Sequence, residues 1–336
     1  MSTLKEIAKA AGVSTTTVSN VINGNYRRVS AETVETVQRL IRETGYTPNQ
    51  YARSLAHRGS RIVAVVVQAD DGENVLLNPY HSIYVGSLTL ELYKHGYYPL
   101  LRFANDFHTL DQDIRGWNVA GTLFSGSYSQ FLEQVKSSID SIPTVFTDCY
   151  FDLNTVNYVS LDDAEGGRVG GDYLVGMGHR RLGFIATNLI NSEVDQQRLV
   201  GLRESLASHG LTIDDAWILP DGDLSVHHDQ LADILLRPDG PTAFFCCSDK
   251  IAIYLIQFVT ELGKRVPEDI SVLGFDDLPL AAMAVPRLTT IAQDVAKKAE
   301  IAVDMLVRHI EDRTLPPERA TLGVTIVERD SVARIG

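Results

Sequence analysis

The chain has 336 residues, with 30 Lys/Arg against 43 Asp/Glu, a net charge of -13, and 44% apolar residues. That length supplies core for two or three folding units, and so acidic an average argues against nucleic-acid binding across the whole surface. The average hides a split, because residues 1–60 carry eight Lys/Arg and four Glu, a net of +4, while the other 276 residues carry 22 positive and 39 negative charges, a net of -17. A basic end on an acidic body predicts a nucleic-acid-reading appendage on a globular domain.

The first predicted element runs over Thr3 to Ala11, where Leu4, Ile7, Ala8 and Ala11 share one helical face and Thr3 with Glu6 has capping-box spacing. Gly12 breaks this helix, and Ser14 can cap a second one whose Val18, Val21 and Ile22 recur at helical spacing. Two helices joined by a tight turn with Gly form the helix-turn-helix pattern. Ser30 can cap a third helix with Val34, Val37 and Ile41 inward, ended by Gly45 and Pro48. The outward face of the second helix carries Thr15, Thr16, Thr17, Ser19, Asn20 and Asn23 with no acid among them, a face able to enter a DNA groove. Residues 49–56 form a helix-competent octet too short to be stable alone, which fits either a linker or a helix that forms on DNA.

The run from Leu4 to Ala56 resembles the DNA-binding headpiece and hinge of the lactose-repressor family of bacterial transcription regulators. The matching motifs are AGVSTTTVSNVIN, the VSAET that opens the third helix, and GYTPNQYARSLA. The resemblance implies base-reading roles for Thr15, Thr16 and Asn20, and it implies supporting DNA contacts from Ser14, Arg27, Arg28 and Asn49. It also implies that Leu55 wedges into the minor groove of a pseudo-palindromic operator. Many members carry Arg at the position of Asn20, so an amide here implies a preference for adenine over guanine.

From Ile62 onward, short apolar runs alternate with helix-length amphipathic stretches. Strands are expected at Ile62–Val67, Pro99–Phe103, Gly121–Phe124, Pro143–Thr147, Tyr158–Leu161, Leu182–Ala186, Ala243–Cys247 and Ile270–Phe275. Such alternation predicts parallel sheets wrapped by helices, and 276 residues favour two similar lobes over one sheet. Ligands of these sheets sit at the carboxyl ends of strands, which directs attention to Asp148, Ser248, Asp249, Asp276 and Asp277, with Arg198 as a cation on a following helix. Helix capping is the competing role for Asp249 and Asp277. The glycine-rich stretch Glu165 to Gly178 matches no phosphate-binding pattern and reads as a helix packed closely on a sheet. Cys246 and Cys247 alternate faces in an apolar strand, so at least one belongs to the core, and with Cys149 they make neither a disulfide framework nor a zinc site. No metal, cofactor or catalytic motif is expected.

This body resembles the periplasmic-binding-protein-like effector domain of the same family, through LDDAEGGRVGGDYLVGMGHRRLGFI, FFCCSDKIAI and EDISVLGFDDLPLAAMAVPRLTTI among other segments. The resemblance implies a headpiece over residues 1–46, a hinge over 47–60 and an effector-binding and dimerisation domain over 61–336. Within that domain the expected N-lobe covers 61–161 plus 292–318, and the C-lobe 162–291 plus 319–336. Tyr80, Asp148, Arg198, Ser248 and Asp276 fall at implied effector contacts. Leu224 stands where relatives often stack an aromatic ring, which disfavours a purine and leaves either a weaker platform or another contributor such as His227 or His228.

Together these readings predict a DNA-binding transcriptional regulator, a repressor, that is not an enzyme. An effector, expected to be a sugar or sugar derivative, would bind between the lobes. A homodimer is expected from two operator half-sites and from the absence of a leucine-heptad tail after TIVERDSVARIG. A cytoplasmic, membrane-free location is expected from three cysteines that make no disulfide framework and from the absence of an apolar signal core or membrane-length apolar run. A transport-linked solute-binding protein would share the body but not the headpiece. A nucleotide-dependent enzyme would need a phosphate cradle after the first strand, where Asp70, Asp71 and Glu73 stand instead.

Overall fold

The computed structural model describes residues 3–22, 24–46, 60–69, 74–104, 107–126, 141–150, 155–224 and 226–336. The chain divides into two compact units, Met1–Ser60 and Arg61–Gly336.

In the first unit, α1 (Leu4–Ala10), α2 (Thr15–Ile22) and α3 (Ala31–Thr44) bury Ile7, Ala8, Val18, Val21 and Val37 against one another. The expected caps form. Thr3 and Glu6 bond reciprocally, Ser14 accepts from the Thr17 N–H at 3.1 Å, and Ser30 accepts from the Thr33 N–H at 3.2 Å. Gly12 turns the chain between α1 and α2 with φ +65°, a left-handed conformation that glycine adopts without a steric penalty.

The second unit contains two six-stranded sheets among the described residues. The first is built from β1 (Ile62–Gln68), β2 (Tyr98–Ala104), β3 (Gly121–Ser125), β4 (Thr144–Thr147), β5 (Asn157–Leu161) and β11 (Arg319–Leu322), all parallel, in the order β11-β5-β4-β3-β1-β2. The second is built from β6 (Leu182–Ile185), β7 (Ile218–Leu219), β8 (Ala243–Cys246), β9 (Ser271–Asp276), β10 (Thr289–Ala292) and β12 (Thr325–Val327) in the order β12-β10-β9-β8-β6-β7. Only β12 runs antiparallel to its neighbour, β10. Alternate residues of β1 enter different cores. Val63 and Val65 meet Tyr84, Leu88 and Leu92 of α4 (Pro79–Lys94), and Ala64 and Val66 meet Leu110 and Ile114 of α5 (Phe107–Gly116). A strand buried on both faces reads as an unbroken apolar run, which is why IVAVVV was legible as a strand.

Each of the eight expected strands is present, with ends shifted by at most one residue. The lobe boundaries need correction at two places. Ala292 closes β10 in the second sheet, so it does not open the N-lobe return. Arg319–Leu322 pairs with Tyr158–Leu161, because its half-buried alternation completes the edge of the first sheet, so the C-lobe resumes at 323 instead of 319. The chain therefore crosses between lobes after residues 161, 292 and 322.

The glycine-rich stretch forms α6 (Asp163–Gly176) and packs on the sheet as expected, with Gly170 against Phe245 and Gly166 against Phe275. It also crosses α7 (Glu193–Ser208) at backbone contact. A Cβ on Gly167 would lie 2.0 Å from the Arg198 carbonyl oxygen, and one on Gly201 would lie 1.8 Å from that of Ala164. Gly201→Ala is therefore expected to destabilise the body by about 3 kcal/mol, whereas Gly176→Ala, which meets nothing within 4 Å, should change stability by less than about 0.5 kcal/mol. Urea unfolding of both variants followed by circular dichroism measures the difference.

Candidate functional sites

In the first unit, α2 exposes Thr15 and Thr16 to solvent and Asn20 partly, with no charged residue in its first or last turn. Arg27 and Arg28 are exposed on the short 3₁₀ turn Tyr26–Arg28. Ser14 is also exposed, but its hydroxyl is taken by the cap, bonded to the N–H and the hydroxyl of Thr17. Asn23, Asn49 and Leu55 lie outside the described residues. The result is a neutral hydrogen-bonding helix face with a pair of cations nearby in sequence.

In the second unit, the carboxyl ends of β1, β3, β4, β6, β8 and β9 converge on a cavity of about 330 Å³. Tyr80, Asp148, Arg198, Ser248 and Asp276, nominated from five separate segments, all line it. Tyr80, Asp148 and Ser125 come from the first lobe, and Asp195, Arg198, Ser248 and Asp276 from the second. Asp148 and Asp276 both have positive φ, 59° and 119°, a conformation that costs energy for any residue with a Cβ and that clusters at binding sites.

The first-lobe wall is one hydrogen-bonded group. Asp148 accepts from the Tyr80 hydroxyl at 3.0 Å and the Ser125 hydroxyl at 3.1 Å, and its other oxygen meets the Lys298 ammonium at 2.6 Å. Lys298 lies on α11 (Val295–Glu311), is 1% exposed, and also donates to Tyr80 and, at 3.3 Å, to Gln293. Burial alone would push the Asp148 carboxyl up, but Lys298 and the two hydroxyls hold it below the usual carboxylate range.

The second-lobe wall centres on Arg198, which is 6% exposed. Its Nε donates to Asp163 at 2.8 Å, its Nη1 donates to the Cys247 carbonyl at 2.5 Å, and its guanidinium lies 3.4 Å over the Phe275 ring. Burial opposes charge on this group, and Asp163 and Asp276 more than compensate, keeping it protonated. Tyr150 of the first lobe donates its hydroxyl to the second Asp163 oxygen at 2.5 Å, so the pair is gripped from across the cleft. Asp276 accepts from Gln293 at 2.6 Å, and burial pushes its carboxyl up to about 7 against the pull of Arg198. Asp195 accepts the N–H groups of Thr187 and Asn188 at 2.6 and 2.8 Å.

Several expectations change. Asp249 and Asp277 have structural partners but cap no helix. Ser248 caps α9 (Asp249–Glu261), Asp249 is fully buried and accepts the Leu278 N–H at 2.7 Å, and Asp277 pairs with Arg329 at 2.6 Å. Leu224 is a core residue beside Leu231 and Ile251, so its lack of an aromatic ring says nothing about the ligand. His227 pairs with Asp221 at 2.9 Å and His228 meets the edge of Phe258, and neither lines the cavity. Both Cys246 and Cys247 are core, in clusters on opposite faces of the second sheet. Lys298, Gln293, Asp163 and Asp195 were missed. Lys298 did leave a signal, since it occupies a helical stripe otherwise made of Val295, Ala299, Ala302, Val303 and Leu306.

Among the described residues, no group of His, Cys, Asp and Glu is placed to hold a metal, and no helix is long and apolar enough to cross a membrane.

Comparison with known proteins adds independent findings. Residues 3–49 match a model described as bacterial regulatory proteins, lacI family, and residues 172–332 match one described as a periplasmic binding protein-like domain. The chain is 32% identical to a ribose operon repressor from Haemophilus influenzae, over 99% of both chains. It is also 32% identical to the repressor PurR from Mannheimia succiniciproducens, over the full length of both. Among solved structures, a Lac repressor dimer bound to operator and the anti-inducer ONPF superposes with a TM-score of 0.86 at 26% identity, covering 99% of each chain. The regulator CelR in complex with cellobiose superposes at 0.72 and 28% identity, covering 98% of this chain and 100% of that one.

Removing Lys298 would strand a buried carboxylate. Lys298→Met is expected to cost about 3 to 5 kcal/mol at neutral pH, and Lys298→Met with Asp148→Asn should recover much of it. Because the folded Asp148 has a depressed pKa, the stability it gains from Lys298 is present above the unfolded carboxyl pKa and disappears as pH falls through the folded one. Chemical denaturation of wild type and variant at pH 7 and at pH 3 should show the gap closing in acid.

Proposed function

The chain belongs to the lacI family of bacterial regulatory proteins, and we propose that it is a cytoplasmic, dimeric transcriptional repressor whose hold on DNA is set by a small hydroxyl-rich effector, a sugar or sugar derivative. The observation that carries the effector half is the convergence of Tyr80, Asp148, Arg198, Ser248 and Asp276, from both lobes, on one cavity at strand carboxyl ends. Carboxylates at that position accept from sugar hydroxyls, and the Arg198 donors not used by Asp163 and Cys247 can bond hydroxyl oxygens. Binding alone accounts for the residues gathered there, so the protein is read as a regulator without catalytic activity.

The DNA half rests on the exposed face of α2. Thr15, Thr16 and Asn20 would meet base edges, and Arg27 and Arg28 would meet phosphates, giving salt-dependent affinity. Two such units on one dimer would read a pseudo-palindromic site, with Asn49 and Leu55 of the connecting segment adding contacts near its centre. An effector that prefers one arrangement of the two lobes shifts the DNA affinity by its differential binding to the two states.

Two outcomes test these assignments. Asn20→Ala should relax selection at one symmetric base position by about 1 to 3 kcal/mol, measured by selection from a randomised duplex pool, and should leave effector affinity unchanged. Burial holds the Asp276 carboxyl well above the usual carboxylate range in the ligand-free cleft, where its charge is coupled to that of Asp249, so its ionised fraction grows as pH rises through neutrality. The ionised form accepts hydroxyls better, so affinity for a neutral sugar should rise from pH 6 to pH 8 and binding at pH 7 should release protons. Calorimetry in buffers of different ionisation heat reads this directly, and Asp276→Asn should abolish it.

A further inference from the structure

The cations of the cleft are already matched. Lys298 has three N–H donors and three protein acceptors, namely Asp148 at 2.6 Å, Gln293 at 3.3 Å and the Tyr80 hydroxyl. Arg198 has its own carboxylate in Asp163 at 2.8 Å. By contrast, Asp195 and Asp276, which line the same cavity, form no salt bridge among the described residues and are held by two backbone N–H groups and a Gln293 amide. A ligand entering here meets two carboxylates without their own ion pair, while the Lys298 ammonium and the Arg198 guanidinium each already have one. An anionic group would face those carboxylates at low dielectric, where salt screens poorly. A hydroxyl would instead find strong acceptors, because hydrogen bonds to an ionised group are about twice as strong as neutral ones.

From this arrangement we infer that the cleft selects its effector by charge, accepting an uncharged polyol and refusing the phosphate ester or acid of the same skeleton, with Lys298 as a specificity-determining residue that never touches the ligand. The inference rests on the effector reading above. Lys298 acts through Asp148. By neutralising that carboxylate it keeps the cleft from gaining a further unmatched negative charge, which would favour a cation over a neutral sugar. Its burial at 1% exposure on an otherwise apolar helical stripe places it behind the wall, where it sets charge without narrowing the cavity.

The test is calorimetry on the full-length protein with matched triples of probes: D-glucose, D-glucosamine and D-glucose 6-phosphate, then the free sugar, amine and phosphate forms of ribose and galactose. For any skeleton that binds, the phosphate ester is expected to be at least about 100-fold weaker than the free sugar. In Lys298→Met the ratio of amine to neutral affinity should rise about 10-fold, and Lys298→Met with Asp148→Asn should return it to the wild-type value. A purely structural role for Lys298 would lower all three affinities together and leave the ratio unchanged, which overturns the assignment of Lys298. A phosphate ester that binds as tightly as its free sugar overturns the charge selection, and that comparison needs no variant to fold. If no member of any triple binds, the sugar-effector reading itself is overturned.

Discussion

A guanidinium taken out of water needs a carboxylate held against it, because an unpaired buried charge costs several kcal/mol. Arg198 and Asp163 meet this condition through the backbone. Arg198 sits on α7 and Asp163 at the start of α6, and these helices approach until a methyl group on Gly167 or Gly201 would overlap the facing carbonyl. That approach puts the Nε of Arg198 2.8 Å from Asp163 and lays its planar face on Phe275. Gly167 and Gly201 therefore serve the close helix crossing that lets a charged fork reach the carboxyl ends of the second sheet.

The same pair joins the two lobes. Tyr150, three residues beyond β4, bonds Asp163 with its hydroxyl and Glu193 with its backbone N–H at 3.0 Å. On the other wall, Lys298 belongs to the segment that has just crossed back at residue 292, and it bonds Asp148, Tyr80 and Gln293 together. Gln293 in turn donates to Asp276 of the second sheet. A ligand touching Asp148 and Asp276 thus engages networks anchored at the crossings between lobes. Coupling through such networks is typically worth about 1 to 3 kcal/mol, enough to change DNA affinity several-fold to a hundredfold.

Much of this is legible in the amino-acid sequence because each signal is local. Apolar runs of buried parallel strands, the Ser14 and Ser30 caps and the Gly12 turn depend on a few neighbouring residues. The polar residues just past each strand were legible for a topological reason, and of those, Asp148, Ser248 and Asp276 line the cavity together with Arg198 from a following helix, whereas Tyr80 was placed there by the resemblance and Asp249 and Asp277 do not line it. What escaped depends on distant partners. β10 (TTIA), β11 (RATL) and β12 (TIV) are three or four residues long and are strands only because neighbouring strands pair with them, β10 between β9 and β12, and β11 at the edge of the first sheet, where it displaced the lobe boundary from 319 to 323. Asp249 resembles a helix cap in sequence, but its partners Leu278 and Thr290 lie 29 and 41 residues away. Leu224 was placed in the cleft by resemblance alone, and the packing of Leu231 and Ile251 places it in the core.

On the proposed function, the cleft and the α2 face are two sites of one linked equilibrium. Linkage requires the factor by which saturating effector changes duplex affinity to equal the factor by which saturating duplex changes effector affinity. Measuring both binding isotherms, each with and without the other ligand, using a duplex selected from random sequence and a sugar identified by titration, tests this directly. Equal factors of about 5 to 150 are predicted. A sugar that binds the cleft but leaves duplex affinity unchanged would contradict the account.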